Sequence, residues 1–391
     1  MRESILYIWL QLAIGISNGV AGEVLSRFGS VAEVYKCEDF SFLGQKRERY
    51  IKALSQKDTS TAFEIFKRCE SKGVRILGFY DDEYPLRLRS ITAPPVCLYC
   101  IGQVKHLNGT PCIAIVGTRN MTEYGKEVAE SFAFNFAKSG ATVVSGLAKG
   151  VDTAAHRGAV MAGGFTVAVL GCPIDEIYPR ENAKAFKKLY EVGLVMSELY
   201  PGCPRTRADF PNRNRIISGL CDITVIAEAG EHSGALITAK HALSQGRAVY
   251  AVPGSIGAEN AGTNALIKTG VPVATNPYDV TSSLALEYPT ALRPYEPALT
   301  ERVRSYGNVI PEEDTSGDVL EAVPGDTACD VRDECDASCV ILSLLEKGRE
   351  MSADELTLKS GIGVSEVLTA LTILEIEGSV TAVSGGRYRK I

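Results

Sequence analysis

Two asparagines and two arginines alternate over residues 212–215, within "DFPNRNRIISGL" (209–220). Arginine presents a planar fork of donors that can grip a phosphate bidentately, and asparagine can bond a sugar, a base or backbone. Pro211 reads as the start of a turn and "IISGL" as the start of a helix, so Arg213, Asn214 and Arg215 precede that helix. One of the two arginines is expected to pair with Asp209 or Glu198 and pin the loop, leaving the other to face a ligand. The same chemistry recurs after other apolar runs. "GTRNMTEYG" offers Gly117, Thr118 and Arg119, and "SGLAKGVDTAAH" offers Ser145, Gly146, Lys149 and Gly150 ahead of a helix starting near Asp152. "GEHSGALITA" contributes Ser233, Gly234 and Thr238, and "AGTNALIKTG" contributes Thr263, Asn264 and Lys268. Each segment alone reads as a turn or a helix cap. Caps need no cations, however, and Arg119, Lys149, Arg213 and Arg215 attend one edge. Repeated cradles of this kind suit a ligand with several phosphates.

Several catalytic readings lack their signals. No G-x-G-x-x-G follows the first apolar run, and there is no G-x-x-x-x-G-K-[ST] or G-x-S-x-G. Ser145, Asp152 and His156 mimic a triad, but Asp152 reads as a helix cap and His156 as a locally bonded residue; His232 reads as a loop residue. Cys97-x-x-Cys100 with His106, and Cys335-x-x-x-Cys339 near Cys329, are incomplete metal spacings, so neither a metal nor any other cofactor is expected.

These segments need a scaffold. "CIAIVG", "ATVVSG", "FTVAVLG", "GLVMSEL", "DITVIAEA" and "AVYAVPG" are short runs rich in Val, Ile and Ala, alternating with helix-like stretches. That pattern predicts an α/β protein with a parallel sheet covered on both faces, whose ligands bind beyond the carboxyl ends of the strands. "GVPVAT" is expected to add a seventh strand. Residues 1–75 read as short helices punctuated by Gly15, Gly19 and Gly29. Residues 337–391 read as three helices and a Gly-Gly hairpin, the order of a winged helix.

The chain of 391 residues is 45% hydrophobic and 23% charged, a globular profile. Its net charge of −6 is unevenly placed. Between Glu301 and Asp336 eleven acidic residues face three arginines, so the acidity belongs to a linker and leaves the remainder slightly basic. The eleven scattered cysteines suit reduced thiols in a cytoplasm. The apolar start "ESILYIWLQLAIGI" has Arg2 cancelled by Glu3 and no small-x-small cleavage pattern, and reads as a buried helix; no stretch is long enough to span a membrane.

As a set, "VGTRNMTEYG", "VSGLAKGVDTAAHRGA", "VAVLGCPIDEIYPREN", "MSELYPGCPRTRADFPNRNRIISGL", "EAGEHSGALITAKHAL" and "AVPGSI" with "GTNALIKTG" resemble the DprA/Smf DNA-processing family, nearly continuously over 112–280. The resemblance implies an extended Rossmann-like domain (76–290), with a SAM-like helical domain before it (1–75). An acidic linker (291–336) and a winged helix (337–391) would follow. It implies single-stranded DNA binding without catalysis, homodimerisation, and help in loading RecA recombinase onto strands taken up in transformation. By position, Arg119, Lys149, Arg213 and Arg215 would line the DNA pocket, with Gly117, Thr118, Ser145, Gly146, Gly150, Phe210, Asn214, Ser233, Gly234, Thr238 and Lys268 around them. The alternative is a nucleotide-cleaving or nucleotide-modifying enzyme on a related fold, with Glu198, then Glu228, as its general base. A third reading makes the C-terminal domain a duplex-binding regulator, but its candidate recognition helix, "VSEVLTALTILEIEG", carries Glu366, Glu375 and Glu377 and no basic residue. The basic cluster there is Arg387, Arg389 and Lys390. The expectation is therefore a protein-contact or auxiliary module.

Overall fold

The computed structural model describes residues 2–104, 107–294, 341–342, 344–345, 350–360, 363–376, 379–383 and 387–390. The acidic linker from residue 295 onward, His106, Cys329, Cys335, Cys339 and Glu377 lie outside these. The chain divides into two compact units, Met1–Glu312 and Glu313–Ile391.

The first unit begins with helices α1 (Glu3–Ile14), α2 (Gly19–Arg27), α3 (Val31–Lys36), α4 (Glu48–Ser55) and α5 (Ser60–Ser71). Asn18 and Ser30 cap α2 and α3 by accepting the amides of Val20 and Glu33, as short polar side chains at helix starts do. The apolar N-terminal run is α1, buried over Ile5–Gln11 and at Ile14, with α3, α4 and α5 packed around it. The run is apolar on every side because seven successive residues, Ile5–Gln11, are buried, although Leu12 is exposed.

After α5 the chain forms β1 (Arg75–Gly78), α6 (Leu86–Arg89) and β2 (Cys97–Gly102). Alternation of strand and helix then sets in: β3 (Cys112–Val116), α7 (Glu123–Lys138), β4 (Thr142–Ser145), α8 (Val151–Met161), β5 (Thr166–Leu170), α9 (Ala183–Val192), β6 (Leu194–Ser197), α10 (Asp209–Leu220), β7 (Ile223–Ile226), α11 (Ala235–Ser244), β8 (Ala248–Ala251), α12 (Ala261–Lys268) and α13 (Pro277–Leu284). The eight strands lie in the order β1-β2-β6-β5-β4-β3-β7-β8. The six apolar runs are β3 to β8, all parallel; β1 and β2 extend the β6 edge in antiparallel fashion. On β3, Cys112, Ala114 and Val116 join one core and Ile113 and Ile115 the other, so the sheet is covered on both faces and needs no polar alternation. "GVPVAT" is not a full strand: it contributes one parallel bridge, Val273 to Ala251. From β3 the chain winds outward through β4, β5 and β6, then returns past β3 to build β7 and β8. The β3/β7 boundary is therefore the topological switch point, where open α/β sheets place their ligands.

The second unit holds β9 (Glu350–Ser352), α14 (Ala353–Ser360), α15 (Val364–Ile376), β10 (Val380–Val383) and β11 (Arg387–Lys390), with strand order β10-β11-β9. Leu356, Val367, Leu371 and Leu374 belong to its own core. Val364 and Leu368 of the expected recognition helix are exposed, as is Leu358 on α14. The wing's arginines have carboxylate neighbours in the same unit, Arg387 with Glu355 at 3.1 Å and Arg389 with Glu350 at 3.9 Å.

Candidate nucleic-acid interface

The helix carrying the arginines starts earlier than its proline suggests. Residues Asp209–Leu220 form α10, with Pro211 in the first turn, where a missing amide hydrogen costs nothing. Arg213 and Arg215 thus sit inside a helix, two positions and about 200° apart, and both point inward. The Arg213 guanidinium donates to the carbonyls of Gly146 (2.8 Å) and Val169, and its Nε donates to Asn214 Oδ1 (3.1 Å). It joins the exits of β4 and β5 from below. Gly146 is glycine because a Cβ there would lie 2.5 Å from this guanidinium, so its clearance serves the fold rather than a ligand. Burial lowers the Arg213 pKa and raises that of neighbouring Asp152, which accepts the Gly146 amide (3.1 Å). On the opposite side of α10, Arg215 Nη2 lies 2.7 Å from both carboxylate oxygens of Glu198, a pair more than 90% buried. Of the two partners expected from sequence, Glu198 is the one used. The expectation that one arginine faces outward is corrected: neither does.

What remains at the surface of this edge is different. Leaving β3, Thr118 donates its amide to the Glu228 carbonyl (2.8 Å) and accepts the Val151 amide (3.2 Å). Gly150, at φ +84°, passes so close that a Cβ would sit 2.5 Å from Thr118 O and 2.6 Å from Arg119 O. The start of α8 is therefore pressed against the backbone that carries Arg119. Arg119 and Lys149 are exposed. The Arg119 guanidinium lies 5.7 Å from the centroid of half-buried Phe210. Phe210 in turn lies 5.3 Å from the ring of Tyr178, and Arg205 is 4.5 Å from the Tyr178 centroid. Arginine and aromatic faces thus continue across the exits of β3, β5 and β6. Tyr178 and Arg205 were not singled out from the sequence. The available signal was an aromatic in the "GCPIDEIYPREN" loop and an arginine in "CPRTR", both just beyond apolar runs.

The other candidates are structural. Gly117 gives clearance to Val151 and the Glu228 carbonyl. Ser145 donates to Ile115 O (2.6 Å), while His156 Nδ1 meets Thr166 Oγ1 (2.7 Å) and burial lowers its pKa to about 3. With Asp152 on the Gly146 amide, the triad mimic has no relay. Both Glu228 oxygens accept from Thr122, at 2.8 Å from its amide and 2.6 Å from its hydroxyl, and so link the segments that follow β7 and β3. Ser233 and Gly234 lead into α11, where Asn214 reaches Gly234 O (3.4 Å), and Thr238 is buried. Lys268 is the last residue of α12, at the end remote from the strand exits, so it does not join Arg119. Cys97 and Cys100 stand an odd number apart on β2 and project to opposite faces. No grouping of metal ligands occurs among the described residues.

Fold and edge together define a doubly wound Rossmann-like protein with a cationic, aromatic strand-exit face and an appended winged helix. Comparison with known proteins agrees. Residues 75–285 match the family model of DNA recombination-mediator protein A, and 336–386 match the DprA winged helix domain. The chain belongs to the DprA family of DNA-processing recombination mediators. It is similar to protein Smf of Synechocystis, 37% identical over 237 residues, a match spanning 60% of each chain. Two solved structures are also similar. DprA of Streptococcus pneumoniae gives a TM-score of 0.60 at 31% identity, covering 72% of this chain and 98% of that one. DprA of Helicobacter pylori, described for its single-stranded DNA binding mode, gives 0.50 at 30% identity, covering 55% and 97%.

Proposed function

We propose that residues 76–290 bind single-stranded DNA along the strand exits, with Arg119 and Lys149 on phosphates and Phe210 against a base, and that the protein performs no chemistry on the strand. The observation that carries this is Arg119, exposed and stacked beside Phe210 at the exit of β3. An exposed guanidinium beside a partly exposed ring suits a polyanion with free bases. The relative from Helicobacter pylori supports the same ligand. Arg213 and Arg215 shape the edge from inside rather than touching DNA. The enzyme alternative is disfavoured because Glu198 and Glu228, its two candidate bases, spend their oxygens on Arg215 and Thr122. Binding in this reading serves RecA loading, and the protein acts as a homodimer in the cytoplasm. Fluorescence anisotropy with single strands, duplex and mononucleotide tests the ligand: single strands should bind best, and Arg119→Ala should weaken them. Preference for duplex or for a mononucleotide, or undiminished binding by Arg119→Ala, would count against it. Recombinase loading is checked by strand exchange on DNA coated with single-strand-binding protein, where the protein should shorten the lag.

A further inference from the structure

We infer that Tyr178 and Arg205 form a second nucleobase seat beside Phe210, built on the two loops that follow β5 and β6. The inference rests on the single-strand reading of the edge and adds to it a set of contacts made to bases rather than phosphates.

Tyr178 is 38% exposed. Its ring contacts are Phe210 at 5.3 Å, tilted by 54°, and the Arg205 guanidinium at 4.5 Å. An aromatic side chain placed only to fill the core would be covered; this one presents flat surface to solvent beside a second flat group. Nucleobases stack on guanidinium planes as well as on rings, and every base has such a face. The row from Arg119 through Phe210 and Tyr178 to Arg205 therefore offers stacking surface continuous with the phosphate-binding arginine. A paired base keeps both faces inside its helix, so this seat accepts unpaired bases only.

The seat is braced from behind. Glu176 holds Arg205 at 3.1 Å, keeping the guanidinium at the ring. One residue earlier, Asp175 accepts the Gly202 amide (3.0 Å), tying the two loops together, and pairs with Lys72 (2.6 Å) just past the end of α5. Arg68 of the same helix donates to Pro201 O (2.9 Å). The Ile174 amide donates to Leu199 O (3.2 Å). The helical N-terminal segment thus holds both loops, and the rings stand ready before a strand arrives. Preorganised surface of this kind loses little entropy on binding.

The test compares a short oligothymidine with an abasic strand of equal length, which keeps the phosphates and lacks the bases. Full-length protein should bind oligothymidine more tightly. Tyr178→Leu, which keeps bulk and removes the ring, should lower oligothymidine affinity about tenfold while leaving abasic affinity unchanged. Tyr178→Phe should bind as the parent does, and Arg205→Ala should show a smaller loss of the same selective kind. A 2-aminopurine base in the strand should be quenched by the parent and less by Tyr178→Leu. Equal affinity of the parent for the two strands, or a Tyr178→Leu variant that binds both strands as the parent does or weakens both alike, overturns the inference. Arg119→Ala should weaken both strands to the same degree. If it weakens neither, the phosphate reading of the edge fails, whatever Tyr178 does.

Discussion

Replacing Arg215 by methionine separates a structural arginine from a DNA-binding one. The change removes the partner of Glu198 and leaves a carboxylate more than 90% buried, with no other ion pair or side-chain hydrogen bond to that carboxylate among the described residues. Burial already raises the Glu198 pKa, and Arg215 is the main influence that lowers it, so the variant must bury an uncompensated charge or take up a proton. Breaking such a pair from one side costs about 3–5 kcal/mol. Within a unit of this size that lowers the melting temperature by roughly 10 °C. Replacing both partners, as in Arg215→Met with Glu198→Leu, should recover most of the loss, because the pair's own desolvation penalty disappears with it. Differential scanning fluorimetry of the two variants and the parent reads the stability, and anisotropy below the melting transition reads binding to single strands. The single variant should melt early yet bind with near-parental affinity. A melting temperature within a degree or two of the parent, together with a clear loss of binding, would refute the inward placement of this guanidinium.

Other expectations follow from the same geometry. Arg119→Ala should leave stability unchanged and reduce the salt dependence of single-strand binding by about 0.7 log unit per tenfold salt, equally on all sequences; a sequence-selective loss would contradict a phosphate contact. Gly150→Ala places a Cβ against Thr118 O and Arg119 O at φ +84°, so stability and single-strand affinity should fall together, as melting and anisotropy on one preparation would record. His156 is buried and neutral, with its pKa lowered to about 3 in the fold against about 6.5 unfolded. The unfolded chain therefore takes up this proton first as pH falls below 6.5. Stability present above that pH should then decline by up to about 1.4 kcal/mol per pH unit, and His156→Gln should flatten the slope in urea titrations from pH 7 to 5. Residues 337–391 alone should give no sequence-specific duplex footprint at physiological salt, and their removal should leave most single-strand affinity in place. The exposed Val364 and Leu368 and the carboxylate partners of Arg387 and Arg389 are the reason.

Much of the scaffold was legible because its signal is redundant. Six apolar runs alternating with helices can bury both faces only as a parallel sheet, and all six became β3 to β8. The strands β1 and β2 stand outside the strand–helix alternation and pair antiparallel, and in β2 Cys97 and Cys100 read as metal spacing rather than as buried strand residues. "GVPVAT" carries the composition of a strand but follows the turn after α12, and it reaches β8 with a single bridge.

The edge was legible by residue type and illegible by direction. Arginines at positions i and i+2 are neighbours in a loop but diverge by about 200° on a helix. Whether Pro211 starts a turn or sits in the first turn of a helix therefore decides what Arg213 and Arg215 touch. The helix starts at Asp209, and one guanidinium is carried to the carbonyls at the exits of β4 and β5 while the other meets Glu198 beyond β6. Holding two backbone carbonyls at the ends of adjacent strands is itself work for a forked donor. It explains why a motif rich in phosphate-binding side chains is buried, and why the exposed cation–aromatic surface comes from Arg119, Phe210, Tyr178 and Arg205, which lie in three separate segments. No local spacing links those four residues. The strand order brings them together, since β3, β5 and β6 are parallel and release their loops on the same side of the sheet.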